Sequence, residues 1–362
     1  MGNREYACSI TVFLAASFAV VSSAVARQAS EDPASVESNP ARYVPARTEW
    51  GDPDLRGTWP IHRVAEAKIP LQRPEKFGDR AWLSEEEFAE RLEEARKADA
   101  SYANEVEASG TLGLAEWLQS TPFGRRASLI VSPANGRLPP MTPRGRDLFD
   151  AGRTSWNEDQ PIDWVTDLDA YDRCVSRGFP ASMLPYPSND GIRVFQSPGF
   201  VVLQLEVLGT RIIPIGERGR WPPAVRSWLG ESRGRWEGDT LVVETANMIA
   251  GDSATRDVSR RAGSPVSGRG WGIVPMSGKA KATERLTMTG PGAIAYRVTY
   301  SDPEVFTAPW TVEMEWTRDD TYRVYEFACH EGNVSIRDMI ESSRAQRKLD
   351  GSGPGVSARK GE

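Results

Sequence analysis

The segment Trp310-Thr311-Val312-Glu313-Met314-Glu315-Trp316 decides the fold class, because apolar and acidic residues alternate along it. Successive side chains of a β-strand point to opposite faces of a sheet, so this alternation predicts a strand with one dry and one wet face. The pair Asp319-Asp320 that follows predicts a turn. We therefore expect an antiparallel hairpin from Trp310 to Cys329 in a mainly β protein.

Other segments upstream have the composition of further strands. They are rich in Val, Ile and Leu and are separated by turn residues. Strands are predicted at Ser128–Ser132, Ile192–Gln196, Phe200–Leu208, Arg211–Ile215, Asp239–Thr245, Thr283–Met288 and Ala293–Tyr300. The sequence Gly57-Thr58-Trp59 is typical of the first strand of small barrels. We expect a mainly antiparallel lipocalin-like barrel or a strongly curled sheet, with one surface helix and long loops.

The surface helix is predicted to begin near Ser84. Ser84 is a good N-cap residue, Glu87 completes a capping box, and Leu83 can pack against Phe88. The apolar stripe that follows is thin, so we expect the helix to lie on the surface.

The loops carry most of the Pro and Gly residues. The stretch Tyr171–Ser188 predicts a long ordered loop, a kind of segment that is often functional. Two similar elements, Arg218–Trp221 and Arg233–Trp236, are interpreted as turns rather than as RNA-binding motifs. A short helix is predicted between them at Pro223–Leu229.

The N-terminal residues predict export. An apolar run from Ile10 to Val21 follows Arg4 and precedes the small-residue tripeptide Ala24-Val25-Ala26, which indicates a signal peptide over residues 1–26. The run is shorter than the roughly 20 residues that span a bilayer. We expect a periplasmic or secreted protein that is not inserted in a membrane after cleavage.

The rest of the chain is predicted to form one domain. Residues 27–50 are polar and Pro-rich and predict a flexible leader, residues 51–342 a single β-rich domain, and residues 343–362 a disordered tail. Cleavage would remove Cys8 and leave Cys174 and Cys329. In an oxidising compartment two cysteines predict one disulfide; two buried thiols are the alternative.

Composition excludes several functional classes. A formal net charge of -6 argues against binding to nucleic acid or to an anionic membrane, so the expected partner is a small molecule. The chain has no phosphate-binding loop, dinucleotide fingerprint, nucleophile elbow or paired Cys-x-x-Cys. Its two histidines are few for a transition-metal site. We therefore expect neither a cofactor nor a metal, although a Ca²⁺ site with oxygen ligands stays open.

The segment Cys329-His330-Glu331-Gly332-Asn333 places an imidazole, a carboxylate and an amide in five residues. A disulfide holds its two Cα atoms within about 7 Å. A bond from Cys329 to Cys174 would therefore bring this segment to Asp172, Arg173 and Arg177. The sequence predicts a site at this end of the sheet.

The predicted catalytic residues suit acid/base chemistry. His330 would carry the proton, Glu331 or Asp302 would orient it, and Arg173 would stabilise an oxyanion. The predicted substrate-binding residues are Arg177, Trp236, Glu284, Trp310, Tyr325 and Asn333.

Three functional interpretations follow from these residues. The leading one is an exported, cofactor-independent lyase, isomerase or hydrolase that acts on a small, largely apolar or aromatic molecule. The second is a non-catalytic carrier for a hydrophobic ligand or a sugar, and the third is a structural envelope protein. The alternative to a functional role is that His330 and Arg173 are buried hydrogen-bonding residues that brace the disulfide loop.

Short motifs in a specific order cover nearly all of the predicted mature chain. They are Asp52–Trp59, Arg126–Val131, Asp172–Cys174, Arg177–Gly178, Pro198–Val202, Trp228–Gly230, Ser232–Val243, Pro309–Thr311 and Cys329–Asn333. Together they resemble a widespread family of exported bacterial proteins. Members of that family often carry a histidine where this chain has Lys281, which puts a mechanism based on two histidines in doubt. The resemblance also implies that Glu284 and Arg285 lie on the inner face.

Overall fold

The computed structural model describes residues 43–61, 69–93, 97, 125–150, 161–168, 170–185, 191–250 and 276–351. The strands are β1 (Gly57–Pro60), β2 (Ile130–Ser132), β3 (Gly191–Ser197), β4 (Phe200–Leu205), β5 (Thr210–Pro214), β6 (Glu231–Glu237), β7 (Thr240–Ala246), β8 (Lys281–Gly290), β9 (Ala293–Ser301) and β10 (Trp310–Thr317). They form two antiparallel sheets, so a mainly antiparallel β fold is confirmed. No closed barrel is found in the described part of the chain.

Strand order is nearly sequential in both sheets. The four-stranded sheet has the order β1-β3-β4-β5, and the six-stranded sheet has the order β2-β10-β9-β8-β7-β6. The predicted alternation on β10 is confirmed, because Val312, Met314 and Trp316 are buried whereas Glu315 is exposed. The inner faces of the sheets bury large aromatic side chains, among them Trp59, Trp310 and Tyr296, and such rings contribute much of the apolar area that a core removes from water.

Two contacts join the sheets at their edges. Ile215, just after β5, forms an isolated bridge with Gly234 of β6. At the other side, the backbone N–H of Asp319 donates to the carbonyl of Thr58 in β1 at 2.9 Å, and the Thr58 N–H donates to the Asp320 carboxylate at 3.2 Å. The end of β10 is thereby fixed to β1.

These contacts explain why the predicted hairpin from Trp310 to Cys329 is wrong. The turn at Asp319 does form, but residues 322–328 are not a strand. Instead they run to the four-stranded sheet, where the Tyr322 hydroxyl donates to Glu206 at 2.6 Å.

Two other local predictions are also wrong. Arg233–Trp236 is part of β6 rather than a turn, because it pairs in register with β7 over Glu231 to Glu237. Pro223–Leu229 is not helical: Ser227 forms a bridge with Met248. Gly230 then takes a φ of 72° that ends the segment.

The described helices are α1 at residues 85–93, α2 (Pro143–Asp150) and α3 (Ser335–Leu349). The capping box of α1 is confirmed: the Ser84 N–H donates to Glu87 at 2.8 Å and the Glu87 N–H donates to the Ser84 hydroxyl at 3.2 Å. Helix α3 runs to Leu349, so the predicted start of a disordered tail at residue 343 falls inside a helix. None of the described helices is long and apolar enough to cross a membrane.

The predicted leader also ends earlier than expected. Thr48 is buried, and its hydroxyl accepts a hydrogen bond from the Asp52 N–H at 3.1 Å, so the described residues from 43 onwards belong to the fold. The signal peptide, the rest of the leader and residues 352–362 lie outside the described residues.

The loop from residue 170 to 185 is irregular, as predicted, and mostly buried. It carries Phe179 and Leu184 into the core. The disulfide between Cys174 and Cys329 is confirmed, with Cα atoms 5.6 Å apart and a sequence separation of 155. This bond is compatible with an oxidising, exported location.

Candidate functional site

The disulfide holds two of the predicted site segments together. The Asn333 side-chain amide donates to the carbonyl of Asp172 at 3.0 Å and lies 3.3 Å from the Cys174 sulfur. Asn333 therefore braces the bridge. One carboxylate oxygen of Asp172 is buried and has no hydrogen-bond partner among the described residues.

His330 and Glu331 do not form an acid/base pair. Both side chains are exposed, and within the described ranges neither makes a hydrogen bond or an ion pair. Tyr325 is also exposed, at 67% of its maximum, so it forms no wall of an enclosed site. The turn that carries these residues faces solvent before α3 begins.

The other two charged candidates near the disulfide lie in the irregular loop. Arg173 is half-buried. Arg177 is only 1% exposed, and its guanidinium donates to the carbonyl of Leu184 at 3.4 Å. This contact closes the loop on itself.

Asp302 lies apart from these residues in a buried turn after β9. Its carboxylate accepts hydrogen bonds from the backbone N–H and the hydroxyl of Ser277, both at 2.6 Å. Both carboxylate oxygens are thus occupied, and Asp302 holds the turn. Nearby, Trp310 packs on Tyr300 with ring centroids 5.1 Å apart.

A set of polar side chains that sequence analysis did not connect lies between the two sheets. We call it the interior cluster: Arg211 from β5, Ser232 from β6, Thr245 from β7, Glu284 from β8 and Tyr296 from β9. The side chains of Arg211 and Glu284 are 1% and 0% exposed.

The interior cluster is centred on a bidentate ion pair between Arg211 and Glu284. Arg211 Nη1 donates to Glu284 Oε1 at 2.8 Å and Nη2 donates to Oε2 at 2.5 Å. The Tyr296 hydroxyl donates to the same Oε1 at 2.9 Å. Arg211 Nη2 also reaches the hydroxyls of Ser232 at 3.0 Å and Thr245 at 3.1 Å.

Strand periodicity places these residues inside. Glu284 shares the dry face of β8 with Ala282 and Leu286, and its cross-strand partners are Val243 and Val298. Arg211 shares the dry face of β5 with Ile213. Charged residues are rarely buried unless they are paired. A charged residue on the alternating, apolar face of a strand is therefore the sequence signal for a buried ion pair. The inward position of Glu284 agrees with its predicted role, whereas Arg285 faces outward and pairs with Glu237 at 2.9 Å.

Burial changes the acidity of this cluster. Burial opposes the charge of Arg211, but the neighbouring Glu284 carboxylate outweighs this effect and raises the guanidinium pKa above its ordinary value. Burial, and then the negative charge of Glu284, raise the pKa of Tyr296 well above its usual value of 10.0. Tyr296 is therefore a protonated donor at neutral pH.

Several buried donors in the described part of the chain lack an acceptor, and two of them, Arg211 Nε and the Trp316 indole, lie in the cluster or against it. Arg211 Nε and the indole N–H groups of Trp236, Trp310 and Trp316 have no hydrogen-bond partner among the described residues. Trp316 stacks on Tyr296 with ring centroids 4.6 Å apart. Phe179, on the irregular loop, has its ring 4.6 Å from the Arg211 guanidinium carbon.

Within the described residues, no group of three or more His, Cys, Asp or Glu side chains is placed to hold a metal ion. Comparisons of the chain with protein-family models, curated proteins and solved structures found no match. The resemblance to exported bacterial proteins therefore stays a prediction.

Proposed function

We propose that the protein is an exported binding protein that takes up a small, largely apolar or aromatic molecule between its two sheets. One observation carries this proposal: Arg211 Nε and the indole N–H of Trp316, which stacks on Tyr296, are buried donors without acceptors among the described residues, at a buried ion pair that large apolar and aromatic side chains surround. Buried polar groups are nearly always hydrogen-bonded, so each exception requires an explanation.

Stability alone does not explain this arrangement. A buried donor without a partner costs about 1–3 kcal/mol, and a buried ion pair is often no more stabilising than apolar side chains of the same volume. A ligand that supplies acceptors offsets the cost of the orphaned donors.

Access to the cluster is proposed to lie at Phe179. Its ring covers Arg211, but it belongs to an irregular loop rather than to a strand. Displacement of this ring therefore breaks no strand–strand hydrogen bond of either sheet. An aromatic ligand can replace the Phe179 ring over the guanidinium and keep the same cation–π contact.

The proposal also covers how the two sheets are arranged. We propose that the two sheets are parts of one curled, lipocalin-like sheet. Contacts at both sides of the two sheets support this arrangement. One is the bridge between Ile215 and Gly234, and the other is the pair of hydrogen bonds that join Thr58 to Asp319 and Asp320. We also propose export by a signal peptide at residues 1–26.

The test is a fluorescence titration with the apolar probe N-phenyl-1-naphthylamine. We expect saturable binding near one probe per chain, and binding at least fivefold tighter in Phe179→Ala because the competing ring is removed. Phe195→Ala is the matched control: Phe195 packs under Arg193 in the same way, at 5.4 Å, but on the outer face of the sheet. Absence of saturable binding in both the wild type and Phe179→Ala would refute the proposal.

A second candidate function is a cofactor-independent enzyme that uses acid/base chemistry. The unpartnered carboxylate oxygen of Asp172 supports it, since this oxygen can accept a proton beside the turn that carries His330. In this interpretation His330 carries protons and Arg173 supports an oxyanion.

This candidate is tested by NMR on deuterium incorporation next to the carbonyl of 2-acetylnaphthalene. The enzyme interpretation predicts exchange above the buffer rate, and at least a tenfold loss of that exchange in Asp172→Asn and in His330→Ala. Glu326→Gln, on the exposed neighbouring segment, should keep the wild-type rate. Exchange at the buffer rate in the wild type would remove this candidate.

A further inference from the structure

We infer that the molecule bound in the interior cluster is neutral and carries hydrogen-bond acceptors but no donors, as a ketone, quinone, ester or lactone does. This inference rests on the proposed binding function and adds the chemical class of the ligand.

The hydrogen bonds of the cluster leave only donors. Glu284 Oε1 accepts from both Arg211 and Tyr296, and Oε2 accepts from Arg211. The hydroxyls of Ser232 and Thr245 lie 2.9 Å apart and bond each other. No buried acceptor of the cluster lacks a partner in the described residues, whereas Arg211 Nε and the indole N–H of Trp316, which stacks on Tyr296, do. A ligand acceptor would satisfy these donors, whereas a ligand hydroxyl or amine would have to share an oxygen that already accepts a hydrogen bond.

The charges of the cluster exclude an ionic ligand. The positive charge of Arg211 is already balanced by Glu284 through two hydrogen bonds. A carboxylate would leave one negative charge unbalanced in the core, and an ammonium group would leave one positive charge. Burial of an unpaired charge costs far more free energy than burial of a carbonyl group.

The surrounding side chains favour a flat, aromatic body for this ligand. Trp316 and Tyr296 stack at an interplanar angle of 21°, Trp310 packs on Tyr300, and Phe179 covers Arg211. The Trp310 and Trp316 indoles combine an apolar face with an unused N–H group, so each can contact a ring and donate to a carbonyl.

The experiment compares four probes that share one ring system. Isothermal calorimetry at pH 7 would measure 2-acetylnaphthalene, 1-(2-naphthyl)ethanol, 1-(2-naphthyl)ethylamine and 2-naphthoate. We expect the ketone to bind at least tenfold tighter than the alcohol, the amine and the carboxylate.

Matched variants locate the donors. Trp310→Phe and Trp316→Phe keep an aromatic ring but remove the N–H group, and at least one of them should weaken ketone binding about fivefold while leaving the weaker probes unchanged. Trp164→Phe is the control, since Trp164 is 63% exposed. Thermal unfolding of each variant verifies that it is folded.

The outcomes separate this inference from the proposed function. Equal affinity for all four probes, or tightest binding of the carboxylate, would overturn the ligand class while the binding function stands. The same holds if both tryptophan variants bind the ketone like the wild type. Failure of all four probes together with N-phenyl-1-naphthylamine would overturn both proposals.

Discussion

Glu284 occupies a position where the strand period requires an apolar side chain. Its carboxylate is satisfied there because Arg211 reaches it from the facing sheet with two hydrogen bonds and Tyr296 donates a third. A pair of this kind adds little net stability compared with apolar residues. Loss of one partner, however, leaves the other charge buried and unpaired, which costs much free energy. The two residues therefore act as a unit.

We predict that Glu284→Gln lowers the free energy of unfolding by about 3–5 kcal/mol, because it leaves the Arg211 charge unbalanced in the core. Urea denaturation measures this value. The control is Glu237→Gln, whose carboxylate pairs with Arg285 on the solvent-exposed side of the same sheet, so its loss should cost far less because water screens the pair. Similar losses for the two variants would show that the interior pair is not strongly coupled.

A second prediction at the residue scale concerns alkaline pH. The pKa values of Tyr296 and Tyr300 are raised by burial and by the neighbouring Glu284 and Asp302 carboxylates, respectively. Above a pH of about 10 the unfolded chain loses these protons while the folded chain keeps them. Stability should be constant below that pH and then fall by about 1.4 kcal/mol per pH unit for each tyrosine.

Urea denaturation between pH 8 and pH 11.5 tests this prediction. The Tyr296→Phe and Tyr300→Phe double variant removes both groups, so its stability should fall less steeply above pH 10. An identical slope in the variant and the wild type would contradict the assignment.

At the scale of elements, the irregular loop and the C-terminal segment depend on each other. The disulfide joins them, Asn333 braces the joint, and α3 is attached further along, where the Ile162 N–H donates to the Ser343 hydroxyl at 2.9 Å. Phe179, whose ring packs against Arg211, sits on this loop.

We predict that the double variant Cys174→Ser and Cys329→Ser is less stable by about 2–5 kcal/mol, because a cross-link over a long loop restricts the unfolded chain. Thermal unfolding with and without a reductant measures the effect. The wild type in reductant should resemble the variant, and the variant should not respond to reductant. No difference between oxidised and reduced wild type would contradict the prediction.

Elements with a local signal could be predicted from the sequence. The strands β3, β4, β5 and β7 to β10 and the capping box of α1 follow from residue periods and neighbouring side chains. The strand β6 and the path of residues 322–328 could not be predicted in this way. Arg233–Trp236 resembles a turn until it pairs with β7, and residues 322–328 contact the other sheet rather than β10.

The candidate site depends on the whole molecule. Of the residues predicted to act in catalysis, Arg173 and His330 lie in segments joined by the disulfide, whereas Asp302 is buried in a separate turn with Ser277. Among the predicted binding residues, Glu284 lies in the interior cluster, and the indole N–H groups of Trp236 and Trp310 are buried without a partner among the described residues. Arg177 and Asn333 brace the loop instead.

The sequence by itself determined the β class and the buried face of β10, and it predicted the pairing of the two cysteines left after the predicted cleavage. Each depends on neighbours in the chain or on a simple count. The pairing of Arg211 with Glu284, 73 positions apart, was decided only by the tertiary structure. Strand periodicity specifies on which face of its sheet a residue lies. Long-range packing specifies which residues of the other sheet lie opposite it. The interior cluster forms only where the inner faces of the two sheets meet.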